Sequence, residues 1–158
     1  MKLREIVVEK AIITSLESSK RDEVLGELLD ALVASDAIAA DQRDTYLKEA
    51  LKRERKGSTG FGHGVAVPHV KAAGLERLTV AIGISEAGVD FNALDKQPVH
   101  SIFLLISPEE RPEEHIDAME AIFGNLSKDQ FRRFLRQAGD VEEIITLLEE
   151  ADAGQSVG

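Results

Sequence analysis

The 158-residue sequence contains no cysteine and no tryptophan, and only one tyrosine and six phenylalanines. Without cysteine there are no disulfides, no thiolate zinc sites and no cysteine nucleophile, a pattern that fits a reducing compartment. With so few aromatics the core has to be aliphatic, built from Leu, Ile, Val and Ala. Cations are also in deficit: 19 Lys and Arg against 29 Asp and Glu give a formal net charge of −10. A free-standing nucleic-acid binder carries a basic face, so polyanions are set aside as the main partner, whereas a basic protein would be steered in. No apolar run approaches the roughly 18 to 20 residues that span a bilayer. Lys2 and Arg4 are not followed by an apolar h-region, so no secretory signal is read. The expectation is a soluble, cytoplasmic protein.

What is present is an alternation of short β-branched runs and helical periodicities, with no internal repeat and no dividing linker. A chain of this length suits one domain and buries roughly 70% of the surface its unfolded form exposes. Ala11–Leu16 reads as a strand, and Val24, Leu25, Leu28, Leu29, Leu32 and Val33 recur at helical spacing behind a Ser18-Ser19 cap. A second helix from Asp41 carries Tyr46, Leu47, Ala50 and Leu51, and frays near Arg55 at the Gly57-Ser-Thr-Gly60 turn. Val65-Ala-Val67 is a short apolar run stopped by Pro68, and Leu78–Ile84 is a stronger strand. Val99–Ile106 is apolar on both faces and belongs inside a covered sheet. From Glu113 onward three helical stripes follow: Ile116, Met119, Ile122, Phe123 and Leu126; Phe131, Phe134 and Leu135; Ile144, Ile145, Leu147 and Leu148. Residues 1–150 are therefore read as a single α/β domain with a mixed sheet between helical layers. Residues 151–158 are polar and small and are read as a disordered tail.

The chemistry concentrates in Arg53-Glu-Arg-Lys-Gly-Ser-Thr-Gly-Phe-Gly-His-Gly-Val-Ala-Val-Pro-His69. Gly57, Gly60, Gly62 and Gly64 permit a loop whose N–H groups curl around an oxyanion, although the same cluster fits a tight surface loop. It is neither a P-loop nor a dinucleotide fingerprint, because the required spacings are missing. His69 follows a short strand and Pro68, and a histidine near pKa 6.5 is largely neutral at cytoplasmic pH, so one ring nitrogen is free to attack an electrophile. A turn-capping histidine would look the same. His115 stands at the start of a helix after the strongest strand, where ligand sites of α/β sheets collect; a solvated first-turn histidine fits equally. Arg53 ends a helix, where a cation suits the dipole in any case. His63 in the glycine loop raises a metal site with His69 and His115, but no zinc-type ligand spacing appears. His100, inside a strand, reads as structural. No Gly-x-Ser-x-Gly elbow supports serine hydrolysis.

Taken together, the Arg53–His69 segment resembles the active-site signature of the fructose/mannitol-type EIIA domains of the phosphotransferase system (PTS). Phe91-Asn-Ala-Leu-Asp-Lys-Gln-Pro-Val99 is similar to the pattern before their core strand, and the Gly-Ser-Thr-Gly and Asp-x-Gln-Pro-Val runs lie closest to the nitrogen-regulatory branch, EIIA-Ntr. The resemblance covers nearly the whole chain. It implies an α/β fold and a phosphocarrier whose His69 is phosphorylated through Nε2 by HPr or its nitrogen-branch counterpart, with no metal or organic cofactor. It places the supporting arginine on Arg53 and the second histidine on His115, with Thr59 near the phosphoryl group. The downstream partner it implies is an EIIB domain or a regulatory protein target; a binding module that has lost phosphorylation is the outlying alternative. The sequence departs from many relatives at His63, where asparagine is common, and at Val70, where a small residue is.

Overall fold

The computed structural model describes residues 1–157, with side chains through residue 154. In chain order the elements are α1 (Leu3–Ile6), β1 (Val7–Ile13), α2 (Arg21–Ala34), a 3-10 turn (Ala40–Gln42), α3 (Arg43–Lys56), β2 (Gly60–Gly62), β3 (Val65–Ala66), β4 (His69–Ala72), β5 (Thr79–Val89), β6 (Val99–Pro108), α4 (Pro112–Leu126), α5 (Asp129–Gln137) and α6 (Val141–Val157). The strands form one mixed sheet in the order β1-β5-β6-β3-β2, with β4 also paired to β6. β1 runs parallel to β5, β5 antiparallel to β6, and β3 and β4 both parallel to β6.

Side-chain alternation along each strand feeds two separate cores. Val80, Ile82, Phe103 and Leu105 face one side, where they meet Ala118, Ile122, Leu126, Leu135 and Ile144 of α4 to α6. Ala81, Ile102, Leu104 and Ile106 face the other, against Val24, Leu25, Leu28, Leu29, Tyr46 and Ala50 of α2 and α3. The result is the helix–sheet–helix sandwich expected from the sequence, and β6 is buried on both faces along nearly its whole length.

One local feature positions the site. β3 and β4 keep the same register against β6, pairing Val65 with Ser101, Ala66 with Ile102 and His69 with Leu105. They are one strand interrupted at Val67-Pro68. Proline has no N–H to give the ladder, but its carbonyl still accepts from Leu105 N at 2.9 Å. The apolar run therefore does not stop at Pro68; it resumes with His69 as the first residue of β4.

Other expectations are corrected. The first strand begins at Val7 rather than Ala11, after a one-turn helix that its four residues were too few to signal. The cap of α2 is Lys20, with no side-chain hydrogen bond, rather than Ser18 or Ser19. Ile116 and Phe134, read as stripe residues, are 56% and 49% exposed. α4 instead approaches the sheet through Ala118 and Ala121 beside Ile122, small residues that bring the helix close. The expected tail is helical from Ala151 to Val157, as the end of α6. Asp152 is buried, and its carboxylate accepts from the Leu3 and Arg4 backbone N–H groups at 2.7 and 2.9 Å. A polar residue there is a cap for the N-terminal helix rather than a sign of disorder. Gly158, the last residue of that expected tail, lies outside the described residues.

Candidate functional site

Among the described residues β4 pairs only with β6, so His69 opens an edge strand. Val70 and Ala72 pack inward against the α2–α3 layer, which by alternation turns His69 and Lys71 to the opposite face. Ser107 of β6 pairs with Lys71, and α4 begins five residues later, carrying His115 in its first turn. The His69 and His115 rings lie 5.4 Å apart, centroid to centroid, and are tilted by 57°.

Each imidazole is held by its Nδ1. His69 Nδ1 lies 3.0 Å from the Val67 carbonyl, which only accepts, so Nδ1 carries the proton and Nε2 keeps its lone pair. His115 Nδ1 lies 2.7 Å from the hydroxyl of Ser107, a fully buried side chain. Burial pushes the His69 imidazole below its ordinary value; the Val67 carbonyl opposes this, while Arg53 and Lys71 reinforce it and Glu54 counters them. Burial likewise lowers His115, helped by His69 and Lys71. Both shifts favour the neutral imidazole.

Arg53 comes from the last turn of α3, where Nη1 donates to the Gly57 carbonyl at 2.8 Å and its charge is felt at His69. Its helix-end position and its place beside His69 are one arrangement. The following residue, Glu54, is only 3% exposed and takes both groups of Thr59: the backbone N–H at 3.1 Å and the hydroxyl. Thr59, expected beside the phosphoryl group, thus donates its hydroxyl inward to Glu54. It also anchors the loop, because its carbonyl accepts from Val67 N at 3.2 Å.

The glycine loop uses its freedom at Gly62, His63 and Gly64, which take φ values of 115°, 60° and 76° in succession. His63 occupies the left-handed region in which Asn, Asp and His are enriched, a backbone reason for the residue type there. It lines a cavity with Asp129, Arg132, Arg133 and Arg136 of α5, in which neither His69 nor His115 takes part. Among the described residues no three His, Asp or Glu side chains converge as a metal-ligand group. His100 places Nδ1 2.8 Å from the Ser85 carbonyl, across the β5–β6 pair. Sequence reading missed Ser107, Lys71 and Glu54. Lys71 was marked by its two-residue offset from His69, and Ser107 by being the lone hydroxyl near the end of an apolar strand. Nothing in the charged run around Glu54 signalled its burial.

Two imidazoles close together at a sheet edge, one with a free Nε2 and within the field of Arg53 and Lys71, are an arrangement suited to phosphoryl transfer. The chain belongs to the EIIA type 2 family of the phosphoenolpyruvate-dependent sugar phosphotransferase system, whose pattern matches residues 5–151. It is a phosphotransfer component of that class. It is 31% identical over 155 residues to a nitrogen regulatory protein of Pseudomonas aeruginosa, covering 98% of this chain and 99% of that one. It is 30% identical to the fructose-specific EIIABC component of Bacillus subtilis over 96% of this chain, but spans only 24% of that relative. Among solved structures, nitrogen regulatory protein IIA-Ntr from Neisseria meningitidis superposes with a TM-score of 0.82 at 29% identity, covering 92% of this chain and 98% of that one. IIA mannitol from Escherichia coli shares the fold, with a TM-score of 0.74 at 19% identity over 89% of this chain and 97% of that one. Among the described residues no helix is long and apolar enough to cross a membrane.

Proposed function

We propose that His69 accepts a phosphoryl group on Nε2 from an HPr-type phosphohistidine carrier, and that the output is regulatory. The observation that carries this reading is the 3.0 Å contact of His69 Nδ1 with the Val67 carbonyl, which leaves Nε2 as the nucleophile. In the transfer, the donor's P–N bond breaks as the Nε2–P bond forms. The donor nitrogen recovers its lone pair, and His69 keeps its Nδ1 proton, so no proton has to move. Such a reaction needs in-line approach and charge neutralisation more than covalent assistance. Arg53 supplies a fixed fork of donors for the equatorial oxygens, and Lys71 a second cation. If the Ser107 hydroxyl donates to His115 Nδ1, the His115 proton sits on Nε2, where it becomes a donor to the phosphoryl group. Thr59 then acts indirectly, by fixing the loop and Glu54. No step calls for a cofactor, and the cytoplasm is the compartment this reading assigns.

The likeness to nitrogen regulatory proteins in both sequence and fold supports the regulatory branch, with protein targets downstream. The 30% identity to a fructose-specific component supports a second reading, transfer onward to an EIIB domain. Incubation with phosphoenolpyruvate, enzyme I and HPr tests the common core. The wild type should gain one acid-labile, alkali-stable phosphoryl group by intact mass, and His69→Ala should gain none; a labelled His69→Ala chain removes His69 from the reaction. Onward transfer to an isolated EIIB would then favour the uptake reading.

A further inference from the structure

Glu54 is a buried carboxylate with no part in the transfer step itself. Arg53 and Arg55 flank it in the chain, yet among the described residues no cation pairs with it. It also stands in the last turn of α3, where an anion opposes the helix dipole. Its partners are the Thr59 backbone N–H, at 3.1 Å, and the Thr59 hydroxyl. A glutamine could make both bonds, accepting from the N–H and donating to the hydroxyl, without the cost of burying an unpaired charge. Neither the helix nor the loop needs the charge.

From Glu54 a path of hydrogen bonds leads to the nucleophile. The Thr59 N–H donates to the carboxylate, and the Thr59 carbonyl accepts from Val67 N at 3.2 Å. The Val67 carbonyl in turn accepts from His69 Nδ1 at 3.0 Å. All three donors point toward Glu54, and Glu54, Thr59 and Val67 are buried, so the aligned bonds reinforce one another in a medium that screens them little. Burial is the main influence on the His69 imidazole and lowers it; the Val67 carbonyl opposes this, Arg53 and Lys71 add to it, and Glu54 acts with Val67 to raise it. The remaining titratable neighbour is the His115 ring, 5.4 Å away. When Nε2 bonds to phosphorus and Nδ1 keeps its proton, the His69 ring gains a positive charge on the side that faces Val67. A carboxylate at the far end of the path stabilises that charge.

We propose that Glu54 is a positioning residue for the transfer, whose buried charge acts through the backbone of Thr59 and Val67 to hold the proton on His69 Nδ1 and strengthen Nε2 as a nucleophile. This rests on His69 being the phosphoryl acceptor. Arg53 and Lys71 serve the oxygens of the phosphoryl group, and Glu54 serves the ring that carries it. The Thr59 hydroxyl has no share in this path, which runs through the N–H and carbonyl of that residue.

The test compares Glu54→Gln with the wild type in two measurements on the full chain. In imidazole NMR titration the His69 midpoint should fall below the wild-type value, since the carboxylate that favours its charged form is gone. In single-turnover transfer from labelled HPr the variant should accept the phosphoryl group more slowly, on the order of 10-fold, as loss of a carboxylate behind a functional histidine does. The urea midpoint should stay or rise, because glutamine keeps both bonds to Thr59. Thr59→Val, which keeps the charge and the backbone path, should leave the His69 midpoint at the wild-type value. An unchanged midpoint or an unchanged rate in folded Glu54→Gln overturns the proposal, as does an equal fall of the midpoint in Thr59→Val. Where Glu54→Gln does not fold, the wild type decides: phosphorylation should move the Thr59 and Val67 amide protons downfield as their bonds tighten, and an unmoved Thr59 amide overturns the proposal. A wild type that gains no phosphoryl group contradicts His69 as acceptor; a phosphorylated wild type matched by Glu54→Gln contradicts the role of Glu54 alone.

Discussion

The His69 and His115 rings face each other at 5.4 Å, and each is held by Nδ1, one by a backbone carbonyl and the other by a buried serine hydroxyl. Each Nε2 is therefore the nitrogen left without a partner within the fold, one the proposed nucleophile and the other the donor that the proposed tautomer requires. That division of roles rests on Ser107. Ser107→Ala should still be phosphorylated on His69 but slow the transfer on the order of 10-fold, as loss of an orienting partner does. Single-turnover transfer from labelled HPr measures it; an unchanged rate would show that His115 needs no such orientation.

Arg53 belongs both to the helix end and to the field at His69. Arg53→Ala should fold normally by circular dichroism and slow phosphoryl acceptance by about 10²-fold, in line with loss of a charge-stabilising donor. Arg53→Lys, keeping the charge without the fork, should recover only part of that loss. Wild-type kinetics in Arg53→Ala would take this residue out of the mechanism.

The pH dependence has a definite sign. Burial, together with the neighbouring cations, lowers both imidazoles in the folded chain, whereas in the unfolded chain they titrate near 6.5. Between the folded and unfolded values the unfolded chain binds more protons. Stability from this source is therefore complete above about pH 6.5, falls as pH drops through that value, and stops falling below the folded values. Imidazole NMR titration should give midpoints below 6.5 for His69 and His115. A midpoint at or above 6.5 for His69 would contradict a nucleophile that is neutral because it is buried.

The buried Glu54–Thr59 pair predicts a structural effect rather than a chemical one. Thr59→Val removes the hydroxyl that Glu54 accepts while the backbone N–H remains. Urea denaturation should show a loss of about 1.5–3 kcal/mol, the range for hydrogen bonds to charged groups. Phosphorylation should still occur on the folded fraction. Unchanged stability with abolished transfer would instead put the Thr59 hydroxyl at the phosphoryl group.

Asp152 ties the two ends of the chain together. Asp152→Ala leaves the Leu3 and Arg4 N–H groups without their acceptor and should cost about 1–2 kcal/mol in the same measurement, as lost caps do. No change would mean that α6 contributes nothing past Glu150.

Much of the sandwich was legible because burial on both faces leaves a plain mark, as in Val99–Ile106, and because Val24 to Leu32 repeats at helical spacing over a buried face. The failures have physical causes as well. Pro68 suppresses a strand signal that the parallel register with β6 restores, since the ladder needs only the proline carbonyl there. Ile116 and Phe134 satisfy helical periodicity yet face outward, because periodicity marks a stripe and not its partner. At the site, His69, Arg53 and His115 could be named from a motif, but Ser107 and Lys71 join them only through the pairing of β4 with β6. The burial of Glu54 comes from how the chain turns back after α3.

The most direct test is nitrogen-resolved. Long-range ¹H–¹⁵N NMR of the chain after phosphorylation by phosphoenolpyruvate, enzyme I and HPr identifies which imidazole nitrogen carries phosphorus. Phosphorus should couple to Nε2 of His69, with Nδ1 still protonated toward Val67. Phosphorus on His69 Nδ1, or on His115, would contradict it.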